Sequence, residues 1–176
     1  MSICPYCSET GLKDWGDLES EILLVGSAPS DEELHYSKMF YGATGQIFRR
    51  EFNKCVGIEL SDCHITSLYI HDKPKKKPDQ RCIKLGEEMC LEKIATKKYV
   101  VLIGADAVRW ATGLSIDDVN GFDVTSDLIL SSETINAFLV DTKFRALVNP
   151  SSTWSSGLGE LRFGLRQMKG WFENGE

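Results

Sequence analysis

Three short runs set the limits on how this chain can fold: Ile22-Leu23-Leu24-Val25, Tyr99-Val100-Val101-Leu102-Ile103 and Phe144-Arg145-Ala146-Leu147-Val148. Each is mostly apolar, rich in branched residues and too short for a helix. That pattern reads as a buried strand. Each run breaks into a loop: Gly26-Ser27-Ala28-Pro29-Ser30 after the first, Gly104 after the second, and Asn149-Pro150-Ser151-Ser152 after the third. Small residues and a proline directly after a strand let backbone N–H groups approach a ligand closely.

Helical spacing follows these loops. Residues 46–56 carry Ile47, Phe48, Phe52 and Val56 on one face, and Gly57 supplies a stop. Residues 79–96 align Cys82, Leu85, Met89 and Ile94, although Gly86 counts against a helix there. Residues 105–112 form a helix stopped by Gly113, and residues 159–172 carry the stripe Leu161, Leu165, Met168 and Phe172. A further strand lies at residues 63–69. Residues 114–143 say least: 128–130 and 137–140 read as short strands, or as one strand and a helix end. Strands alternating with helices predict an α/β fold, a three-layer αβα sandwich around a mainly parallel sheet of four to five strands. Ligands bind at the carboxyl ends of such strands. The loops at 26–30, 67–71 and 149–154 all follow strands and are expected to meet in one cleft.

The chain of 176 residues suits one domain, residues 1–176, and is too short for two ordinary ones. No apolar run is long enough to span a membrane, and no basic-then-apolar leader opens the sequence, so a cytoplasmic protein is expected. Six cysteines in that setting argue for metal binding or core packing rather than disulfides. Cys4-Pro5-Tyr6-Cys7 has the spacing by which two thiolates share a metal, and a redox pair has the same spacing. A net charge of −6 counts against a nucleic-acid partner. Lys73-Pro74-Lys75-Lys76-Lys77-Pro78 and the group Arg49, Arg50 and Lys54 are nevertheless local basic patches, and the bland reading of both is a solvated surface.

Residues 21–48 resemble the first motif of the uracil-DNA glycosylase superfamily, above all its iron–sulfur, thermostable-type family. There the pattern is roughly G-E-A-P-G, an acidic run, P-F-V-G-x-A-G and a helix. Gly26, Ala28, Pro29, Glu33, Phe40, Gly42 and Gly45 fall on matching positions. Ile65 and Thr66 match the family's I-T-N-V-V-K-C strand, and the unit around Gly104 is close to V-I-V-A-L-G-x-x-A. Asn149-Pro150-Ser151 matches H-P-S or N-P-S, the Asn form resembling the mismatch-specific branch. The resemblance runs from about Cys4 to the last helix.

It implies base excision from DNA: a nucleotide is flipped out, its base is stacked on an aromatic ring, and the bond from base to sugar is cleaved. Phe40 matches the stacking aromatic. The backbone around Gly26, Ala28 and Pro29 would bind the base or hold a water. Asn149 would hydrogen-bond the leaving base or polarise the attacking water. Ser151 and Ser152 would grip flanking phosphates, and Trp154 would be a wedge for the vacated stack. Three positions depart from the family. Ser27 stands for a water-activating glutamate, Ser67 for the asparagine that reads uracil, and Asn149 for a histidine. Either the substrate has changed, with the small Ser67 admitting a bulkier base and Asp31 or Glu32 supplying a carboxylate, or catalysis is lost and binding of nucleic acid or a protein partner is kept. The expectation is a monomeric DNA glycosylase acting on uracil or a modified base.

The resemblance also implies a 4Fe-4S cluster on four cysteines, in an N-terminal segment of about residues 1–10 and beyond. Cys4 and Cys7 fit the first pair and Cys82 the fourth ligand. His71 stands in the third place, with Cys90 as a spare candidate. A Cys3His set suits zinc as well. Blander readings stand beside these. Cys55, Cys63 and Cys90 are small buried hydrophobes. Phe40 and Tyr41 are core aromatics, His35 and His64 are structural or exposed, and Asp31-Glu32-Glu33 is a helix-start charge run.

Overall fold

A computed structural model describes residues 2–71, 79–124, 142–148 and 157–172. The chain opens with two short strands, β1 (Ser2–Ile3) and β2 (Thr10–Gly11), paired antiparallel. The main sheet is built from β3 (Trp15–Gly16), β4 (Ile22–Gly26), β5 (His64–Ser67), β6 (Tyr99–Ile103), β7 (Asp123–Val124) and β8 (Lys143–Leu147), in the order β3-β5-β4-β6-β8-β7. The four inner strands are parallel, and β3 and β7 pair antiparallel at the edges. Four of the predicted strands are the inner four. The edge strands are two residues each, too short to show as apolar runs. In the register, Gly26 lies beside Ser67 and Ile103 beside Leu147, so the carboxyl ends of neighbouring strands emerge together.

Helices cover both faces. Side chains alternate along a strand, so Leu24, Val101 and Ile103 pack with Phe48 and Phe52 of α2 (Gly42–Val56) and Leu161 and Leu165 of α6 (Gly157–Gln167). Leu23, Val25, Val100 and Leu102 face the other way, onto Cys90 and Ile94 of α3 (Gln80–Ile94) and Val108 and Ala111 of α4 (Ala105–Thr112). These are the expected three layers. Gly57 and Gly113 end α2 and α4 in left-handed conformations, at φ 84° and 74°. Two short α-helices, α1 (Asp31–Tyr36) and α5 (Ile116–Val119), and a 3-10 turn at Leu60–Asp62 complete the described elements.

Some boundaries differ from the sequence reading for identifiable reasons. Helix α2 begins at Gly42 rather than residue 46, because its first turn carries no apolar stripe to announce it. Helix α6 spans 157–167. Beyond it the chain turns, and Trp171 and Phe172 pack their rings on Tyr99. In α3 the glycine that weighed against a helix serves the packing. A Cβ at Gly86 would stand 2.2 Å from the Leu68 carbonyl oxygen, so only glycine lets the helix lie this close to the chain leaving β5. Residues 114–124 form α5 and β7. The strands expected at 128–130 and 137–140 lie outside the described residues.

An ion pair between a half-exposed arginine and a buried glutamate joins α2 to α6. Arg162 donates from Nε at 2.7 Å and from Nη2 at 3.0 Å to Glu51, whose side chain is 1% exposed. The Arg162 hydrogen bond, helped by Arg50 and opposed by burial, holds the Glu51 carboxyl below the usual carboxylate range.

Candidate functional site

A cleft of about 360 Å³ opens where β4 and β6 end. One wall is the backbone of Gly26, Ser27 and Ala28, and the opposite wall is Phe40, Tyr41 and Gly45 at the start of α2. Phe40 sits at φ 51°, a left-handed conformation rarely taken by a bulky residue. Several contacts hold it there. Its N–H donates to Glu33 Oε1 at 2.5 Å, Arg49 donates to its carbonyl at 3.4 Å, and its ring stacks on Phe48 with centroids 4.6 Å apart. A Cβ at Gly45 would stand 2.0 Å from both the Phe40 carbonyl carbon and oxygen, so that glycine is the space the Phe40 backbone occupies.

Glu33 does a second job. Its Oε2 accepts from both the N–H and the hydroxyl of Ser30, each at 2.8 Å, and the Ser30 hydroxyl accepts from the Glu33 N–H. This is a capping box at the start of α1. The acidic run is thus a helix start, and one member of it also ties the loop after β4 to the Phe40 loop. Glu32 leans into the cleft; a Cβ at Gly42 (φ 82°) would lie 1.8 Å from its Oε2. Asp31 is exposed in the first turn of α1 and does not line the cleft. Pro29 is buried behind the loop. Tyr41 stacks on Tyr36 at the rim, with centroids 4.3 Å apart.

Ser67 is not in this cleft. Its hydroxyl donates to the Tyr69 carbonyl at 2.6 Å, and it borders a second cavity of about 300 Å³. That cavity exposes a polar group the sequence did not reveal. Asp14 accepts from Lys93 Nζ at 2.9 Å, from the Thr66 hydroxyl at 2.8 Å and from His64 Nε2 at 2.8 Å. Burial opposes ionisation of Asp14, but the His64 hydrogen bond and the Lys93 charge outweigh it and bring the carboxyl down to about 2. Residues 14, 64, 66 and 93 share no local pattern that would have linked them. Asn120 was missed in the same way. Its Oδ1 accepts from the Val148 N–H at 3.0 Å and so fixes the chain as it leaves β8. Asn149, Ser151, Ser152, Trp154 and the lysines at 73 and 75–77 lie outside the described residues.

Away from the cleft, Cys4, Cys7, His71 and Cys82 bring their donor atoms within 4.8 Å of one another. Cys4 and Cys7 sit on the turn between β1 and β2, where Ser8 N–H donates to Cys4 O and Cys4 N–H donates to Glu9 O, each at 2.9 Å. His71 follows β5, and Cys82 lies in the first turn of α3. The Cys4 and Cys82 sulfurs are 3.5 Å apart, and Cys7 Sγ is 3.3 Å from His71 Nε2. Burial opposes ionisation of Cys4, yet the N–H groups of Tyr6 and Cys7 bring its thiol down to about 7. Burial and the two neighbouring thiols push Cys82 up to about 12. A tetrahedral ion with bonds of about 2.3 Å sets its donors roughly 3.8 Å apart, and this group is packed to that scale. A cluster of several irons gives each donor its own iron and so spreads the donors further. The residues present suit a metal ion or a cluster by their chemistry, and their spacing lies nearer that of a single ion. Cys90 belongs to the core under α3 and α4, outside this group, and burial pushes its thiol up to about 12. Cys63 is buried too, and Cys55 half-buried.

A parallel αβα domain with its cleft at the carboxyl ends of the strands places that cleft where such folds bind their ligands. The family model described as the uracil DNA glycosylase superfamily matches residues 13–155, and the chain belongs to that superfamily. The matched span begins after Cys4 and Cys7. No curated protein matches the chain. No described helix is long and apolar enough to cross a membrane.

Proposed function

We propose that this chain is a DNA glycosylase that hydrolyses the bond between the sugar and uracil or a modified base flipped out of DNA. Together with the superfamily membership, the observation that carries this reading is the Phe40 loop, held at positive φ by Glu33 across a cleft the size of a small ligand pocket. The flipped base stacks on Phe40, and the backbone of Gly26, Ser27 and Ala28 contacts its edge. The base leaves as an anion, the sugar develops oxocarbenium character, and a water completes the substitution. Ser27 brings no carboxylate to that water. Glu32, which lines the cleft, is the better placed of the two acidic candidates, with Asp31 outside it. Asn149 polarises the water or the leaving base, Ser151 and Ser152 hold phosphates, and Trp154 fills the vacated stack. One domain performs this, with the N-terminal segment packed on it. Cys4 and Cys7 of that segment, with His71 and Cys82, hold a single ion of the zinc class in preference to a 4Fe-4S cluster. The ion supplies structure, joining the β1–β2 turn to α3.

The test is release of free base from single- and double-stranded oligonucleotides carrying uracil, hypoxanthine or 5-hydroxymethyluracil, read as alkali-sensitive sites. Release from one of them is expected, and Glu32→Gln is expected to slow it by about 100-fold. Binding of every oligonucleotide without release would overturn the reading. The missing carboxylate at Ser27 would then mark a nucleic-acid-binding protein that has lost the chemistry. Stoichiometric zinc without iron–sulfur absorbance would support the single-ion reading.

A further inference from the structure

Two tyrosines at the mouth of the cleft have no part in the chemistry proposed above. Tyr41 lines the cleft, and Tyr36 stands just outside it. Their rings pack on each other, with centroids 4.3 Å apart and planes inclined by 38°. Both stay open to solvent, Tyr36 at 56% and Tyr41 at 36%. A lone exposed tyrosine is ordinary. A pair packed ring on ring and still exposed is a flat aromatic surface. His35 stands at right angles to Tyr36, with centroids 4.8 Å apart, and braces it.

The chain between the rings is shaped to bring them together. Tyr36 ends α1, and Ser37 (φ 52°), Phe40 (φ 51°) and Gly42 (φ 82°) then take left-handed conformations. Two of these three are not glycine, so the surrounding contacts must offset their strain. Ser37 N–H donates to the Leu34 carbonyl, Lys38 N–H to the Glu33 carbonyl, and Phe40 N–H to the Glu33 carboxylate. The turn that presets Phe40 therefore presets the tyrosine pair as well.

Charge near the pair is mixed. Asp31 and Glu32 are exposed on α1, and the Lys38 ammonium lies over the Trp15 ring at 4.9 Å. Such a surface gives a phosphate backbone little to hold. What it offers is ring area, and stacking on a ring suits the face of any base. Phe40 and Tyr41 are consecutive, with Cα atoms about 3.8 Å apart. A strand with one base against Phe40 thus brings the next within reach of Tyr41. In a duplex that neighbour stays paired and stacked, so the rings can take it only where the strand is unpaired.

We propose that Tyr36 and Tyr41 form a platform for the base next to the flipped nucleotide, and that the substrate strand is unpaired around its target. The inference rests on the glycosylase reading and narrows its substrate to single-stranded or locally melted DNA. Its test uses the full chain. The probes are short oligonucleotides carrying deoxyuridine with 2-aminopurine directly on its 5′ or its 3′ side, whose fluorescence falls when it stacks. Quenching is expected on one of the two sides in the single strand, and the annealed duplex is expected to bind about tenfold more weakly. Tyr36→Ala should abolish the quench and weaken single-strand binding by about tenfold, level with the duplex. The slope of affinity against salt should not change, because no phosphate contact is lost. Tyr36→Phe keeps the ring and should keep both the quench and the affinity. A quench that survives Tyr36→Ala overturns the proposal, as does equal binding of duplex and single strand by the unaltered chain, or a loss in Tyr36→Ala carried by the salt slope. Base release with no quench on either side would sink the platform alone. A quench that Tyr36→Ala abolishes, without release of any base, would keep the platform and sink the glycosylase reading. Neither quench nor release would sink both.

Discussion

The Phe40 loop and the N-terminal segment are both short and irregular, but they are held by different means. The loop is fixed by the chain's own groups. Glu33 binds Ser30 on one side and Phe40 on the other, Gly45 leaves room for the Phe40 carbonyl, and Phe48 backs the ring. The N-terminal segment has two strands of two residues, a small apolar cluster of Cys4, Ile70 and Cys82, and an Ile3 left 73% exposed. Leu12 N–H bonds the Ile70 carbonyl, Arg81 lies over the Tyr6 ring at 5.4 Å, and the four donor side chains gather beside these contacts. A segment with so little core needs a staple. The cleft is thus shaped by many of the chain's own contacts, whereas the segment has few, and on the proposed reading an ion would add the rest.

Removing the ion should break this comparison open most widely. Chelation, or Cys82→Ser, is expected to raise amide hydrogen exchange in residues 3–12 by about 100-fold or more, with the amides of β4 and β6 unchanged. Equal loosening in both regions would show that the cleft depends on the ion too. Next comes Gly45→Ala, which puts a methyl group into the Phe40 carbonyl. About 3 kcal/mol of stability should be lost in denaturant titration, together with base release, while zinc content stays the same. Glu33→Gln should cost about 2 kcal/mol by weakening three charge-assisted hydrogen bonds, and should increase exchange at Phe40 but not at Cys4.

An effect of similar size is set by pH. Asp14 falls from an ordinary 3.8 to about 2 in the folded chain, and its side chain is 23% exposed. A depressed carboxyl stabilises fully above its unfolded value and loses that stability as pH drops through the folded one. About 2 kcal/mol should therefore disappear between roughly pH 4 and pH 2. Asp14→Asn should flatten that part of the stability curve. Because Asp14 joins the lead-in to β5 and α3, acid should loosen residues 12–18 before it reaches Phe40.

The layers were legible because inner strands must be apolar on both faces and helices must carry a stripe. The loop from Gly26 to Ser30 was legible as small-residue backbone after a buried strand, and in the folded chain Gly26, Ser27, Ala28 and Ser30 line the cleft. Edge strands of two residues leave no such trace. Glu33 alone of the three acids fell on a family position, but its two bonds, to Ser30 and to Phe40, showed only in the folded chain. Sequence spacing could pair Cys4 with Cys7, and it took the resemblance to bring in His71 and Cys82. Asp14, Thr66 and Lys93 come together from three elements, and no local pattern could have shown it.

Gly86 touches neither the four-donor group nor the second cavity, yet it governs both. Helix α3 carries Cys82 one turn before it and Met89 and Lys93 one and two turns after it. Where the helix crosses Leu68 it has no side chain, and this fulcrum sets how near each end can swing to the strand-side residues. A single methyl group there would tilt the beam, drawing Cys82 off His71 and Lys93 off Asp14 together. Two sites with no residue in common are geared to one point of contact, and a change at that point reaches both.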